Sequence, residues 1–309
     1  MMMNAGINGL EMVNGYQLIA PWTTSGSAQW SFAEKDGSEW FIKRFLAPKR
    51  KRAEEGIPQS AVDSANARCD AFEGAQRELY RRVREADTGN IVFVSDFFCF
   101  GSSFYAVSPR IPAAGFSVKG IAEQPQERKI LLMKVLTYCV QSLHAHGVVH
   151  GDLKPANIIL KRTAAGGFTL KLIDFDAGFL EEKPRSGDQI SFDAVYVAPE
   201  TLLAMGDDSI RLTNKIDIFA LGLIFHEYAC GRLPGLPEGC PSAVYAVLNG
   251  DIPRVSGELP EWLRQLIYRM LLPDPDQRPD AQTVFRWLQE QNAPGMENGK
   301  SFFHRPDPL

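Results

Sequence analysis

His150-Gly151-Asp152-Leu153-Lys154-Pro155-Ala156-Asn157, followed by Leu172-Ile173-Asp174-Phe175-Asp176, is the stretch on which this chain's fold turns. An Asp, a Lys two residues on, an Asn five residues on and a second Asp after an apolar run bring together a proton acceptor, a phosphate-binding cation and two hard oxygen donors. Moving a phosphoryl group needs such a set, because negative charge collects on the phosphate oxygens and has to be positioned and neutralised.

These motifs resemble the eukaryotic-type (Hanks-type) Ser/Thr protein kinases, whose catalytic loop reads H-R-D-x-x-x-x-N and whose metal-binding turn reads D-F-G. Ala198-Pro199-Glu200 stands where the family's A-P-E closes the activation segment, and Asp217-Ile218-Phe219-Ala220-Leu221-Gly222 resembles its buried D-x-W-x-x-G helix. The four motifs stand in the family's order, and the resemblance covers roughly residues 14–290. The resemblance implies an α+β, bilobal protein-kinase fold, with a small antiparallel-sheet N-lobe carrying one helix above a larger, mostly helical C-lobe. Along the chain, residues 1–13 are expected to be a mobile leader, 14–110 the N-lobe with an insertion at about 47–68, 111–290 the C-lobe, and 291–309 an irregular tail.

The 309 residues are 45% apolar with a formal charge of -4, a globular composition with no bulk preference for nucleic acid or an anionic membrane. Five scattered cysteines, Cys69, Cys99, Cys139, Cys230 and Cys240, read as reduced thiols in a cytoplasmic protein. Neither a signal peptide nor a membrane span is expected, since the most apolar stretch, 216–230, is interrupted by Asp217, His226 and Glu227.

Tyr16-Gln17-Leu18-Ile19-Ala20, Trp30-Ser31-Phe32-Ala33 and, after an Asp36-Gly37 turn, Glu39-Trp40-Phe41-Ile42-Lys43-Arg44-Phe45 alternate as three antiparallel strands. The polar segment 47–68, with the basic run Lys49-Arg50-Lys51-Arg52, reads as an insertion whose charges face solvent. Helical spacing of Phe72, Leu79, Tyr80 and Val83 predicts the next helix, with strands at 91–98 and 104–107. A Pro- and Gly-containing connection at 109–115 is the expected hinge, and a helix over 127–146 leads into the catalytic loop.

The resemblance implies a role for each motif residue. Asp152 would orient or accept the proton of the attacking hydroxyl, Lys154 would neutralise the transferred phosphate, and Asn157 and Asp174 would bind Mg. Lys43 ends a strand where the family's V-A-I-K lysine meets the nucleotide phosphates. Its expected helix partner is Glu73: spacing from Leu79, Tyr80 and Val83 makes Gln76 the central inward position, Glu73 lies one turn earlier on the flank, and Glu78 points away. Thr23-Thr24-Ser25-Gly26-Ser27-Ala28 occupies the place of G-x-G-x-x-G, so Ser25, Gly26 and Ser27 are the expected contacts to ATP phosphates. Glu200 and Arg278 resemble the family's buried ion pair, and Asp217 is expected to hydrogen-bond the catalytic-loop backbone.

Several positions depart from the family. Phe41 replaces a small residue over the adenine and either stacks on the base or fills the pocket. Gly151 replaces the arginine that captures a phosphorylated activation loop, so activity is expected not to require that phosphorylation. Asp176 replaces the Gly of D-F-G, with a water-mediated metal contact and a solvent-facing position both open and the latter preferred. Asp193 falls near where Ser/Thr kinases keep a Thr. His144, His146 and His150, spaced across a helix end, do not converge as zinc ligands.

The expectation is Mg-ATP-dependent transfer of the γ-phosphate to Ser or Thr hydroxyls of a protein substrate, the chain itself included, without nucleic-acid or membrane partners and with the oligomeric state open. The alternative is a pseudokinase, a nucleotide- or partner-binding scaffold, supported by the glycine-poor loop, Phe41, Asp176 and the ambiguous helix glutamate. A third reading gives docking to the insertion and tail, with Phe302 and Phe303 as anchors.

Overall fold

Asn-Gly and Asp-Gly pairs accept positive φ at both central turn positions, and they fold the start of the chain into hairpins. Asn14-Gly15 (φ 49° and 84°) joins β1 (Met12–Val13) to β2 (Tyr16–Leu18). β3 (Thr23–Ser25) pairs back on β4 (Ala28–Lys35), and Asp36-Gly37 (φ 52° and 70°) turns β4 into β5 (Ser38–Phe45). After α1 (Gln59–Glu85), β6 (Asp96–Phe100) and β7 (Ser103–Pro109) complete an antiparallel sheet of order β1-β2-β4-β5-β7-β6, with β3 beside β4. This computed structural model describes residues 11–290, except 27, 54–56, 116, 164–166 and 191; the tail with Phe302 and Phe303 lies outside them.

Alternation gives the sheet two apolar faces. Val13, Tyr16, Leu18, Ala33, Ile42, Tyr105 and Val107 cluster on one, while Phe45, Phe97 and Phe104 on the other pack with Phe72 and Tyr80 of α1. Three sequence expectations are corrected here. Met12 and Val13 form a paired strand with Val13 fully buried, so these two residues belong to the sheet and not to a mobile leader. α1 begins at Gln59, so residues 59–68 are helix rather than insertion, and Val62, Ala65 and Cys69 extend the buried stripe through Gln76, Leu79, Tyr80 and Val83. The strand expected at 91–98 is confined to Asp96–Phe100, because Ile91 and Val92 pair with Leu172 instead. The basic run is also partly fastened: Arg50 meets Asp70 and Glu73 at 2.8 and 2.9 Å, and the Lys51 backbone exchanges hydrogen bonds with Asn66.

The second lobe runs through α2 (Val118–Ala122), α3 (Gln126–Ala145), β8 (Val148–Val149), β9 (Ile158–Arg162), β10 (Phe168–Leu172) and β11 (Phe179–Leu180). It continues with α4 (Pro199–Leu203), α5 (Lys215–Cys230), α6 (Ala243–Leu248), α7 (Glu261–Met270) and α8 (Ala281–Glu290). α5 is apolar all round and forms the axis of the core, as a helix without a polar face must. A Cβ on its Gly222 would stand 3.0 Å from Met270 and Leu271, so the missing side chain lets the end of α7 abut it. The fold is the expected α+β, two-lobed arrangement. Among the described residues, no helix is long and apolar enough to cross a membrane.

Glu200 accepts hydrogen bonds from Arg278 at 2.6 and 3.0 Å, and the rest of the guanidinium is spent on the carbonyls of Leu272, Lys215 and Pro273. Arg278→Leu should strand Glu200 as a buried, unpaired charge and lower the unfolding free energy, read by urea denaturation, by about 3 to 5 kcal/mol. In α5, His226 Nδ1 donates to the Arg232 carbonyl at 2.8 Å while Nε2 accepts the Ser256 N–H at 3.0 Å, an arrangement available only to the neutral ring. Burial lowers this histidine's pKa, with the Arg232 carbonyl opposing it in part. The unfolded chain therefore binds the proton more readily, so stability is full above the ordinary pKa of about 6.5 and declines as pH falls below it. His226→Gln should flatten that part of a Tm-against-pH curve.

Candidate active site

Asp217, 1% exposed in the first turn of α5, sets the backbone of the catalytic loop. Its carboxylate accepts the N–H groups of His150 (2.8 Å) and Gly151 (3.0 Å) and a proton from His144 Nε2 (2.9 Å). Burial works to raise its pKa, but the hydrogen bonds it accepts from the His144 ring and the His150 backbone outweigh burial and hold it below the usual carboxylate value. The neighbouring histidines are likewise spent on hydrogen bonds: His146 Nδ1 bonds the Ser142 carbonyl, and His150 Nε2 the Ile173 carbonyl.

On that fixed loop, Asn157 Nδ2 donates to the Asp152 carbonyl (2.8 Å) and to Asp152 Oδ2 (3.1 Å), and Lys154 Nζ lies 2.8 Å from the same Oδ2. Asp152 Oδ1 is buried and has no partner. A carboxylate oriented through Oδ2, with its second oxygen free of protein donors, has the chemistry to accept a proton from a hydroxyl. Burial lowers the Lys154 pKa, yet Asp152 more than offsets it, so the ammonium stays firmly charged; Asp193 stands 3.6 Å away on its other side.

Both hydrogens of the Asn157 amide nitrogen are directed to Asp152, which leaves its oxygen as the donor for a metal. Asp174 is the nearby carboxylate, and one carboxylate with one amide oxygen suits Mg, which completes its shell with phosphate and water. Consistent with that sparse donor set, no cluster of three or more His, Cys, Asp or Glu able to hold a metal occurs among the described residues. Asp174 adopts φ 63°, a left-handed conformation that Asp tolerates and that functional turns often hold.

Lys43 of β5 crosses the cleft to Asp174, with Nζ 2.9 and 3.0 Å from the two carboxylate oxygens, and also meets Asp176 at 2.8 Å. This corrects two expectations. Glu73 is not the lysine's partner: it pairs with Arg50 and Arg77 at 2.9 and 2.8 Å, on the flank of α1. Asp176 does not simply face solvent, since the inward helix position is the neutral Gln76 and the aspartate supplies the missing charge. Burial lowers the Lys43 pKa, but Asp176 and Asp174 outweigh it and raise the pKa overall. Within the pair, burial raises both carboxyls; Lys43 brings Asp174 below its ordinary value, while Asp176, also facing Asp174, stays above.

Around this centre stand residues that sequence spacing did not single out. Phe41 packs on Trp30 (5.6 Å, stacked) and against Phe32 (6.1 Å, edge-on), and strand register puts both on the Lys43 face of the sheet, opposite Lys43 and Phe41 respectively. Cross-strand alternation carried that signal. Arg185 donates to the carbonyls of Asp176 (2.6 Å), Gly178 (2.8 Å) and Gln189 (3.2 Å), fastening the activation segment from within. No local pattern marks it. Ser25 and Gly26 sit at the exposed tip of the β3–β4 hairpin, whose β4 side leads to Trp30, while Ser27 lies outside the described residues.

Residues 61–287 match the family model described as protein kinase domain. Serine/threonine-protein kinase PkaA of Streptomyces coelicolor is 33% identical over 162 residues, covering 52% of this chain and 28% of that protein. Ovarian-specific serine/threonine-protein kinase Lok of Drosophila melanogaster is 31% identical over 173 residues (53% and 35%), and calcium-dependent protein kinase 3 of Oryza sativa 32% over 229 (70% and 38%). The chain spans about a third of the length of these curated relatives. Because the family match begins after Lys43, the 2.9 Å contact to Asp174 is what joins that lysine to the site.

Gly151 has φ 77°, and a Cβ there would lie 2.7 Å from the Ala177 carbonyl oxygen. Restoring the family's arginine by Gly151→Arg should therefore destabilise the protein by about 2 kcal/mol or more, seen as a lowered Tm.

Proposed function

The chain belongs to the protein kinase family, and we propose that it is a Ser/Thr protein kinase, using ATP and Mg to transfer the γ-phosphate to a hydroxyl of a protein substrate. The Asp152 carboxylate, its Oδ2 held by Lys154 and Asn157 and its Oδ1 without a partner, is the observation that carries this reading. The sheet from β1 to β7 with α1 forms the nucleotide lobe, and residues 111–290 the substrate lobe. Asp152 takes the hydroxyl's proton as its oxygen attacks, and Lys154 offsets charge on the phosphate in transfer. Lys43 grips the nucleotide's remaining phosphates, beneath the hairpin tip of Ser25, Gly26 and Ser27. Asn157 and Asp174 hold Mg, which when bound supplies positive charge to the phosphate oxygens.

Activation-loop phosphorylation is not needed in this reading. Gly151 offers no cation to a phosphate, the Ala177 carbonyl closes the space an arginine would need, and Arg185 already ties the segment down. Free thiols at all five cysteines suit a cytoplasmic setting. A nucleotide-binding scaffold without turnover is the second reading, favoured by the lone glycine at the hairpin tip.

One assay separates them: Mg and γ-labelled ATP with a generic protein substrate, for wild type, phosphatase-treated wild type and Asp152→Ala. Label transfer by the first two, reduced at least about a hundredfold in the variant, is expected. Loss of transfer after phosphatase treatment would overturn phosphorylation independence. Mg-dependent ATP binding with no transfer by any sample would leave the scaffold.

A further inference from the structure

The inward position at the middle of α1 is Gln76, 6% exposed and without charge. Neighbouring acids on the helix are engaged elsewhere: Glu73 with Arg50 and Arg77 at 2.9 and 2.8 Å, and Glu78 with Arg81 and Arg82 at 2.7 and 2.9 Å. Among the described residues, Lys43, with its side chain 12% exposed, has only the two aspartates of the Asp174-Phe175-Asp176 turn as ion-pair partners, at 2.9 and 2.8 Å. One of these is not a lasting partner. Asp174 is the carboxylate assigned above to Mg, and a dication draws carboxylate oxygens away from an ammonium. With Asp174 committed to a metal, Asp176 would be the protein carboxylate left to hold Lys43 in place for the phosphates, and a buried ammonium without an anchoring partner is costly.

We propose that Asp176 is the residue that positions Lys43, so that the lysine is held by the activation segment itself and not by a carboxylate of α1. The proposal rests on the kinase reading above. Asp176 is built for this place. Its backbone lies outside the left-handed region, so a side chain is borne there without strain. Arg185 clamps the Asp176 and Gly178 carbonyls at 2.6 and 2.8 Å, fixing the segment from which the carboxylate projects. A lysine held from α1 would be released whenever that helix swung outward. Here the lysine's partner stands two residues from the metal ligand, so one short segment sets both, and displacement of α1 does not separate them.

The test compares wild type with Asp176→Gly, the isosteric Asp176→Asn, Glu73→Ala and the double variant Asp176→Gly/Gln76→Glu. Calorimetry gives the Kd for Mg-ATP, label transfer gives kcat, and thermal unfolding checks the fold. Both single changes at Asp176 should weaken Mg-ATP about tenfold, the scale of a lost charge-assisted contact. They should also lower kcat about a hundredfold through misplacement of the lysine. Gln76→Glu in the glycine background should recover most of both, which a merely structural loss would not allow. Wild-type affinity and turnover in Asp176→Asn would overturn the proposal. So would a loss reproduced by Glu73→Ala, which returns the role to α1. Wild type that binds Mg-ATP without transferring label would refute the kinase reading alone, because the affinities still decide the place of Asp176; wild type that binds none refutes both.

Discussion

A single buried carboxylate, Asp217, sets the geometry on which the active site depends. Placing a charge in the first turn of an otherwise apolar central helix costs several kcal/mol unless donors surround it. Those donors are the backbone N–H groups of His150 and Gly151 and the ring of His144, and all belong to the segment that becomes the catalytic loop. The core thus holds the loop's backbone by its own polar groups. Leu153, 2% exposed, anchors the loop from the same side, leaving Asp152, Lys154 and Asn157 to arrange themselves around one another. Side chains on a loop gain in this way the precision of a helix.

A second arrangement, one ammonium between two carboxylates, joins the lobes. Lys43 comes from the sheet, Asp174 and Asp176 from the segment after β10, and each group alone would be poorly placed in a partly buried cleft. Their mutual contact offsets that cost. Because the charge that α1 lacks is supplied by the activation segment, α1 is free to be a packing element: an aromatic face against the sheet, Arg–Glu pairs toward solvent, and Arg82 tied to Glu182 at 2.6 Å in the lower lobe. Arg185 and Gly151 complete the same economy. Arg185 ties the activation segment through three of its carbonyls, and Gly151 lets the Ala177 carbonyl lie close against the loop.

What could be read from sequence was local. Asp152, Lys154 and Asn157 lie within six residues, and Asp217 and Glu200 each sit in a short motif whose environment the spacing implies. Helical periodicity correctly turned Gln76 inward and Glu78 away, and Asp36-Gly37 announced its hairpin. Asn14-Gly15 carried the same signal for β1–β2. The helix start at Gln59 was harder to see, because a polar first half with few apolar residues hides a stripe that only the sheet and its aromatic cover make meaningful.

The sequence by itself determined the motifs and their order, the first strands of the sheet and the inward face of α1 around Gln76, since these follow from short-range spacing and the periods of backbone geometry. Tertiary structure alone decided who pairs with whom across the cleft. Glu73 and Asp176 are both acids within plausible reach of Lys43 along the chain's logic, and the choice between them depends on how α1 and the turn after β10 are set against β5. That placement is fixed by packing between residues more than a hundred positions apart, 131 for Lys43 and Asp174, and no local pattern encodes it.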